Sequence, residues 1–123
     1  MSLLLDTHAL LWLSAGSRRL GARARAAIRE GAYVSAIVMW EIAIKADQGK
    51  LRVDGLEPFL AAGDFPELAF TSVHARDAGA LPRHHGDPFD RALVAQARTE
   101  GLVLVTADPA MRPYDVALHE ATR

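Results

Sequence analysis

Four acidic side chains lie where a carboxylate is difficult to accommodate. Asp6 interrupts the apolar run LLLDTHALLWL, and Glu41 lies inside the apolar segment IVMWEIAI. Asp90 falls on the apolar stripe of the segment DPFDRALVAQA, and Asp108 comes two residues after the run LVLVT. Burying a charge among apolar residues is costly unless a helix end, a metal ion or a cation offsets it. The four acids together therefore indicate a shared site.

Carboxylates that converge on one place suit the chemistry of divalent cations. They repel one another, and their pKa values rise unless a cation is present. Oxygen ligands favour Mg²⁺ or Mn²⁺, which bind a few carboxylates together with water and phosphate oxygens. Such a site can activate water and stabilise an in-line displacement at phosphorus. The sequence offers no rival nucleophile, because it contains no cysteine and no G-x-S-x-G motif.

Each acid also has a simpler structural explanation. Asp87, directly before a proline, is a strong helix N-cap. Asp6 and Asp108 could cap helices in the same way, and Glu41 could pair with Lys45 four residues further on. Caps and surface pairs explain carboxylates near water. They do not explain the two acids that lie among apolar residues inside helical segments.

The elements that must position these acids alternate along the chain. Strands are predicted at Leu3–Leu5, Tyr33–Ala36, Leu68–Val73, Leu102–Thr106 and, at the edge, Val116–Leu118. Helices are predicted from the first strand to Ala15 and at Leu20–Glu30, Ile37–Gln48, Leu56–Ala62, His74–Leu81 and Pro88–Glu100. This pattern predicts a three-layer α/β/α fold with a central, mostly parallel sheet. Ligands of such sheets bind beyond the carboxyl ends of the strands, where Asp6 and Asp108 fall.

Composition is consistent with one globular domain, residues 1–123. Half of the residues are hydrophobic, a quarter are charged, and the net charge is −1, so bulk charge does not indicate a nucleic-acid partner. The absence of cysteine excludes disulfides and cysteine-based zinc sites. The opening apolar run is too short to span a membrane and lacks the features of a signal peptide. We therefore expect a cytoplasmic protein without membrane association.

The acid-bearing segments, taken in order, resemble the PIN-domain ribonucleases, in particular the VapC toxins of type II toxin–antitoxin systems. The segments are LLLDTHALLWL, VSAIVMWEIAIKADQGKL, LPRHHGDPFDRALVAQA and GLVLVTADPAM, and the match runs on to the terminal YDVAL. The resemblance covers nearly the whole chain. It implies a PIN-like α/β/α fold and a metal-dependent endoribonuclease toxin that cleaves single-stranded or loop RNA.

The resemblance also implies a site and partners. By motif position, the family's catalytic acids fall on Asp6, Glu41, Asp90 and Asp108, of which the first, third and last are the expected ligands of Mg²⁺ or Mn²⁺. Thr106 takes the family's hydroxyl position beside the last acid. The family usually forms homodimers and is silenced by a VapB-type antitoxin whose tail enters the active-site groove.

Other polar residues are secondary candidates. Thr106, Arg91 and Lys45 are expected to contact substrate, and Asp87 is expected to act as a structural cap. Three histidines carry no assigned role: His8, His84 and His85. Two adjacent histidines without a third ligand are weak evidence for zinc.

Other classes of function fit part of the pattern. Haloacid-dehalogenase-type phosphotransferases also begin with a strand and an aspartate, but they need a second aspartate where this chain has His8. A receiver domain needs paired acids after the first strand, and Thr7 is not one. A non-catalytic PIN-like module that binds an antitoxin or RNA stays open as the alternative.

Overall fold

Five short strands form one all-parallel sheet in the computed structural model, which describes residues 2–123. The strands are β1 (Leu3–Leu5), β2 (Ala32–Ser35), β3 (Glu67–Leu68), β4 (Val103–Thr106) and β5 (Leu118–Glu120). Their order across the sheet is β3-β2-β1-β4-β5, and all pairs are parallel. The central strand β1 is buried along its whole length, as expected for a parallel sheet covered on both faces.

Six helices surround the sheet. They are α1 (Thr7–Ala15), α2 (Ala22–Arg29), α3 (Ala36–Asp47), α4 (Leu56–Ala62), α5 (Ser72–Ala80) and α6 (Pro88–Glu100), and a 3₁₀ turn follows at Pro109–Met111. Helices α1 and α3 begin directly after β1 and β2, so their first turns lie at the carboxyl edge of the sheet. Helix α6 leads back into β4, which places its first turn at the same edge. Three helix N-termini therefore meet where the strands end.

Helix α6 and the central strands form the middle of the core. Residues 92–97 of α6 are all buried, and Leu93 is fully inaccessible, as are Leu4 and Leu104 of the adjacent strands. Gly101 ends α6 with a left-handed φ of 67°, a conformation that glycine adopts without steric cost. Close packing of this kind fixes the first turn of α6 relative to β1 and β4. Within residues 2–123, no helix combines the length and apolar character needed to cross a bilayer.

The sequence predicts most of these elements, and the fold prediction is confirmed. The first strand and the helices at Leu56–Ala62 and Pro88–Glu100 have the predicted bounds. The predicted strand at Leu68–Val73 is wrong beyond Leu68, because α5 begins at Ser72. Thr71 and His74 form a capping box there, in which each side chain accepts a hydrogen bond from the other's backbone N–H. The predicted edge strand at Val116–Leu118 lies two residues later, at Leu118–Glu120.

Candidate functional site

A buried threonine joins the acids at the ends of β1 and β4. Asp6 follows β1 and is only 6% exposed, and its Oδ1 accepts a hydrogen bond from the Ala9 amide (2.8 Å), which caps α1. The Thr106 hydroxyl lies close enough to the Asp6 carboxylate to lower its pKa, and the hydroxyl oxygen accepts a hydrogen bond from the Asp108 amide (3.1 Å). Thr106 therefore lies between Asp6 and Asp108 and interacts with both residues. Thr106 is 3% exposed, and the substrate contact that the sequence predicts for it stays a prediction.

Electrostatics at Asp6 favour a nearby cation. Burial raises the pKa of the Asp6 carboxyl, and the hydrogen bonds from Thr106 and the Ala9 amide oppose this shift. His8 lowers the pKa slightly, and the Asp108 carboxylate raises it. Asp108 itself caps the 3₁₀ turn through a hydrogen bond from the Ala110 amide (2.9 Å). Capping alone therefore does not relieve the cost of ionising Asp6.

Glu41 is buried on α3 and is held through both of its carboxylate oxygens. Thr7 donates to Oε1 at 2.5 Å, and Lys45 donates to Oε2 at 2.7 Å. Glu41 is 4% exposed, while the Lys45 side chain is 34% exposed. The hydrogen bond to Glu41 raises the pKa of Lys45, and the carboxylates of Asp87 and Asp90 add to this shift. Lys45 is thus the cation that offsets Glu41, and it faces the acids of α6.

The first turn of α6 carries the third acid together with a histidine. Asp87 caps the helix, since its Oδ1 accepts from the amides of Phe89 (2.8 Å) and Asp90 (3.2 Å). Asp90 Oδ2 accepts from His85 Nε2 at 2.7 Å. Burial raises the pKa of Asp90 to about 6; the His85 hydrogen bond opposes this shift, and the charges of Asp87 and Glu41 increase it. Asp90 is therefore sensitive to the charge state of the whole acidic edge.

The acids form two linked groups rather than one tight cluster. One group is Asp6 with Asp108, and the other is Asp90 with Asp87 and Glu41, as the charges that raise the pKa values of Asp6 and Asp90 indicate. Thr7 connects the groups, because it follows Asp6 and donates to Glu41. Among residues 2–123, His85, Asp87 and Asp90 are the group of three side chains whose ligand atoms all lie within 4.8 Å of one another.

Arg91 has a structural role that the sequence does not predict. Its guanidinium donates to the carbonyl oxygens of Pro82 (2.9 Å), Ala78 (2.9 Å) and Leu81 (3.0 Å), and more weakly to that of His85 (3.4 Å). Such a fork of donors suits several carbonyls at once. The guanidinium therefore holds the loop between α5 and α6, and the contact of Arg91 with substrate phosphate stays a prediction.

His85 is the feature of the site that sequence reasoning missed. The Arg91 guanidinium and the Tyr114 hydroxyl both donate to the His85 carbonyl oxygen, each at 3.4 Å, so its backbone is held from two elements. The signal available in the sequence was spacing. A histidine two residues before an N-cap lies above the first turn of the helix that follows, where Asp90 projects.

Comparison with known proteins decides the family. Residues 3–117 match the family model described as PIN domain. The chain belongs to the PIN-domain family. This PIN domain is 33% identical over 125 residues to Ribonuclease VapC22 of Mycobacterium tuberculosis (strain ATCC 25618 / H37Rv), and the match covers 92% of each protein. The resemblance stated from the sequence is thereby confirmed.

Solved structures agree on the fold. The toxin–antitoxin complex VapBC2 from Rickettsia felis, bound to a promoter DNA fragment, contains a chain that aligns with a TM-score of 0.75 and 16% identity over 97% of this PIN domain and 98% of that chain. A chain of a toxin–antitoxin complex from Klebsiella pneumoniae aligns with a TM-score of 0.69 and 18% identity over 97% of each chain. At these identities the likeness concerns the fold.

The donor set of this PIN domain fits a hard divalent cation. Asp6, Glu41, Asp90 and Asp108 supply only oxygen atoms, which Mg²⁺ and Mn²⁺ prefer. The raised pKa values of Asp6 and Asp90 are what uncompensated carboxylates show, and a nearby cation would lower them. The two groups of acids are not close enough to form one compact ligand set, which suits a cation that keeps several of its waters.

Proposed function

We propose that this PIN domain is a metal-dependent endoribonuclease and the toxin of a VapBC-type toxin–antitoxin module. The observation that carries the proposal is the gathering of Asp6, Glu41, Asp90 and Asp108 at the carboxyl edge of a parallel sheet, with the pKa values of two of them raised. The likeness to a protein named as a VapC ribonuclease supports RNA as the substrate. Solved toxin–antitoxin complexes with the same fold support a VapB-type antitoxin as the partner.

Asp6, Asp90 and Asp108 are the proposed ligands of Mg²⁺ or Mn²⁺. A bound cation of this kind supplies Lewis-acid stabilisation of the charge that develops on the scissile phosphate. Thr106 lies between two of these acids, since its oxygen accepts from the Asp108 amide and its hydroxyl lowers the pKa of Asp6. Asp90 loses its proton above a pH of about 6 and is then available as an anionic ligand.

Glu41 and Lys45 complete the proposed machinery. Thr7 and Lys45 each donate a hydrogen bond to one carboxylate oxygen of Glu41, which fixes the orientation of this carboxylate at the carboxyl edge of the sheet. Lys45 is the partly exposed cation beside Glu41, Asp87 and Asp90, and it is the proposed contact for an RNA phosphate. A single ammonium group suits a phosphate as a point charge.

An apolar groove beside the acids supports the proposed homodimer. Trp40 is 59% exposed although it is a large apolar residue, and its ring packs edge-on against Phe89 at 5.4 Å. These two rings, with Ile37, Phe70 and Ala78, line a groove of about 360 Å³. Exposed aromatic residues of this kind commonly mark protein interfaces. Replacing Trp40 by Ser should convert a dimer to monomers in light scattering.

Substitution of single acids tests the nuclease proposal. Asp6→Asn and Asp90→Asn should each abolish Mg²⁺- or Mn²⁺-dependent cleavage of RNA and growth arrest in cells. Asp64→Asn is the matched control, because Asp64 is an exposed acid outside the site. Full cleavage by both site variants would refute the proposal. If calorimetry shows that the protein binds an antitoxin but neither cation, and RNA stays intact, the protein is a non-catalytic binding module.

A further inference from the structure

A buried polar network lies beneath the acidic edge and contains none of the proposed catalytic residues. Its three central side chains are Ser35 (0% exposed), Gln96 (0% exposed) and His74 (2% exposed). Within residues 2–123, every buried side-chain nitrogen and oxygen atom has a hydrogen-bond partner. A fully satisfied buried network restricts the arrangement of the elements that it joins, because any shift leaves a polar group unpaired.

Ser35 joins the start of α3 to the middle of α6. Its Oγ accepts from the Ile37 amide at 3.1 Å and so caps α3, while its hydroxyl donates to Gln96 Oε1 at 2.6 Å. Ser35 precedes Glu41 by six residues on one helix, and Gln96 follows Asp90 by six residues on the other. The hydrogen bond between Ser35 and Gln96 therefore fixes the two helices that carry Glu41 and Asp90.

The amide group of Gln96 is fixed from its other end. Its Nε2 donates to the carbonyl oxygen of Ala69 (3.3 Å) and to His74 Nδ1 (3.3 Å). The same His74 nitrogen accepts from the Thr71 amide, so the ring proton lies on Nε2, which donates to Glu100 at 2.9 Å. Because Nε2 donates to two acceptors, the Gln96 amide has a single orientation. Its Oε1 therefore faces Ser35 and accepts from the Ser35 hydroxyl.

We propose that Gln96 is a positioning residue that sets the distance between Glu41 and Asp90 by holding the first turn of α3 against α6. The proposal deepens the proposed nuclease function, since these two acids belong to its site. Gln96 is too deeply buried to touch RNA or a cation. It acts through the helices alone.

The chain carries its own reporter of this distance. Trp40 directly precedes Glu41, and Phe89 directly precedes Asp90. The Trp40 and Phe89 rings pack edge-on, with their centroids 5.4 Å apart. A shift of α3 against α6 changes the ring-current effect of Phe89 on the Trp40 indole. The chain has two tryptophans. Comparison with Trp12→Phe assigns the Trp40 signal in a proton–nitrogen NMR spectrum.

Gln96→Met tests the proposal, and Thr99→Val is the matched control. Methionine keeps the shape of glutamine but cannot hold the Ser35 hydroxyl. Thr99 donates to Asp77 at 2.8 Å and ties α6 to α5 on the exposed surface, and its side chain has no hydrogen bond to α3. Measurements are made well below the unfolding temperature of the weaker variant, so that both are folded.

We expect Gln96→Met to shift the Trp40 indole resonance, to weaken Mn²⁺ binding at least fivefold, and to lower kcat at least fivefold with KM for RNA within twofold. Thr99→Val should change none of the three. The proposal is overturned if the Trp40 resonance, the Mn²⁺ affinity and kcat of Gln96→Met all equal those of the wild type. This holds whatever the loss of thermal stability in either variant.

A second variant keeps the test decisive if Gln96→Met does not fold. Ser35→Ala removes the hydroxyl together with the cap that it gives the Ile37 amide, so this single variant measures the effect of losing the cap. The double variant Ser35→Ala/Gln96→Met removes both partners of the Ser35–Gln96 hydrogen bond, which costs less than leaving one of them unpaired. The double variant should fold and should show the shifted Trp40 resonance; an unshifted resonance overturns the proposal. This readout needs neither RNA nor metal, so its result stands even if the wild-type protein proves to have no nuclease activity.

Discussion

Asp90→Asn should stabilise the metal-free protein even though it removes a proposed metal ligand, and the gain should depend on pH. The pKa of Asp90 is about 6 in the folded protein, against an ordinary value of 3.8. Below pH 3.8 the Asp90 carboxyl is mostly protonated in both the folded and the unfolded protein. Between the two values the folded state retains a proton that the unfolded state has lost, so stability falls as pH rises. Above about 6 the folded protein carries the full cost of the ionised carboxylate.

The size of this cost follows from the pKa difference. A rise of about two units corresponds to ~3 kcal/mol, at ~1.4 kcal/mol for each unit. The Asp90 side chain is 20% exposed, and the variant loses the charge in the hydrogen bond with His85. These two effects reduce the expected gain to roughly 1–2 kcal/mol. For a domain of this size, that is a rise in Tm of about 4–8 °C.

Thermal unfolding of chelator-treated protein, followed by circular dichroism, measures the effect. The Tm of Asp90→Asn should exceed that of the wild type at about pH 8 and approach it at about pH 3.5, where Asp90 of the wild type is protonated in the folded state and mostly protonated in the unfolded state. Asp64→Asn should follow the wild type at both values. Added Mn²⁺ should raise the Tm of the wild type and leave Asp90→Asn nearly unchanged. A Tm of Asp90→Asn at or below that of the wild type at about pH 8 would refute the electrostatic reasoning.

Three further predictions concern side chains and backbone around the site. Lys45→Met should lower the free energy of unfolding in urea by roughly 1–3 kcal/mol, because it leaves Glu41 buried without its cation, whereas Lys45→Arg should restore most of the loss. Gly21→Ala should cost about 2 kcal/mol or more, since the new Cβ would lie 2.1 Å from the carbonyl carbon of Arg123; an unchanged Tm would contradict this. Arg91→Lys should lower the Tm nearly as much as Arg91→Met, because one ammonium cannot replace a fork that serves four carbonyls.

The fold could be predicted from the sequence because its signals are local. Short apolar runs bounded by glycine and polar residues are typical of buried parallel strands, and Leu3–Leu5 fits this pattern without exception. Pro88 after Asp87 marks the start of α6 to the residue. The strand predicted through Val73 fails because the capping box at Thr71 begins a helix, and a capping histidine is not among the usual signals for a helix start.

The site could be predicted only in part, because its contacts join distant parts of the chain. The four acids stand out by type and surroundings, and the family resemblance orders them. Thr7 and Glu41 are 34 positions apart in the sequence, and no local sequence pattern predicts the hydrogen bond between them. The structural contacts of Arg91 and His85 are hidden from the sequence for the same reason, since they depend on a loop whose path the sequence does not reveal.

The pairing of the central strand has a consequence for folding during translation. Leu3 of β1 pairs with Val103 of β4, a hundred positions further along the chain, and the Asp6 amide donates to the carbonyl oxygen of Val105 at 3.1 Å. Neither contact can form until the chain has been synthesised beyond Val105. Contacts of such long range also make folding slow. A growing chain that has not yet reached β4 therefore lacks Asp108 and carries Asp6 without the strand that holds its backbone, so the acidic edge is assembled only after β4 has been made.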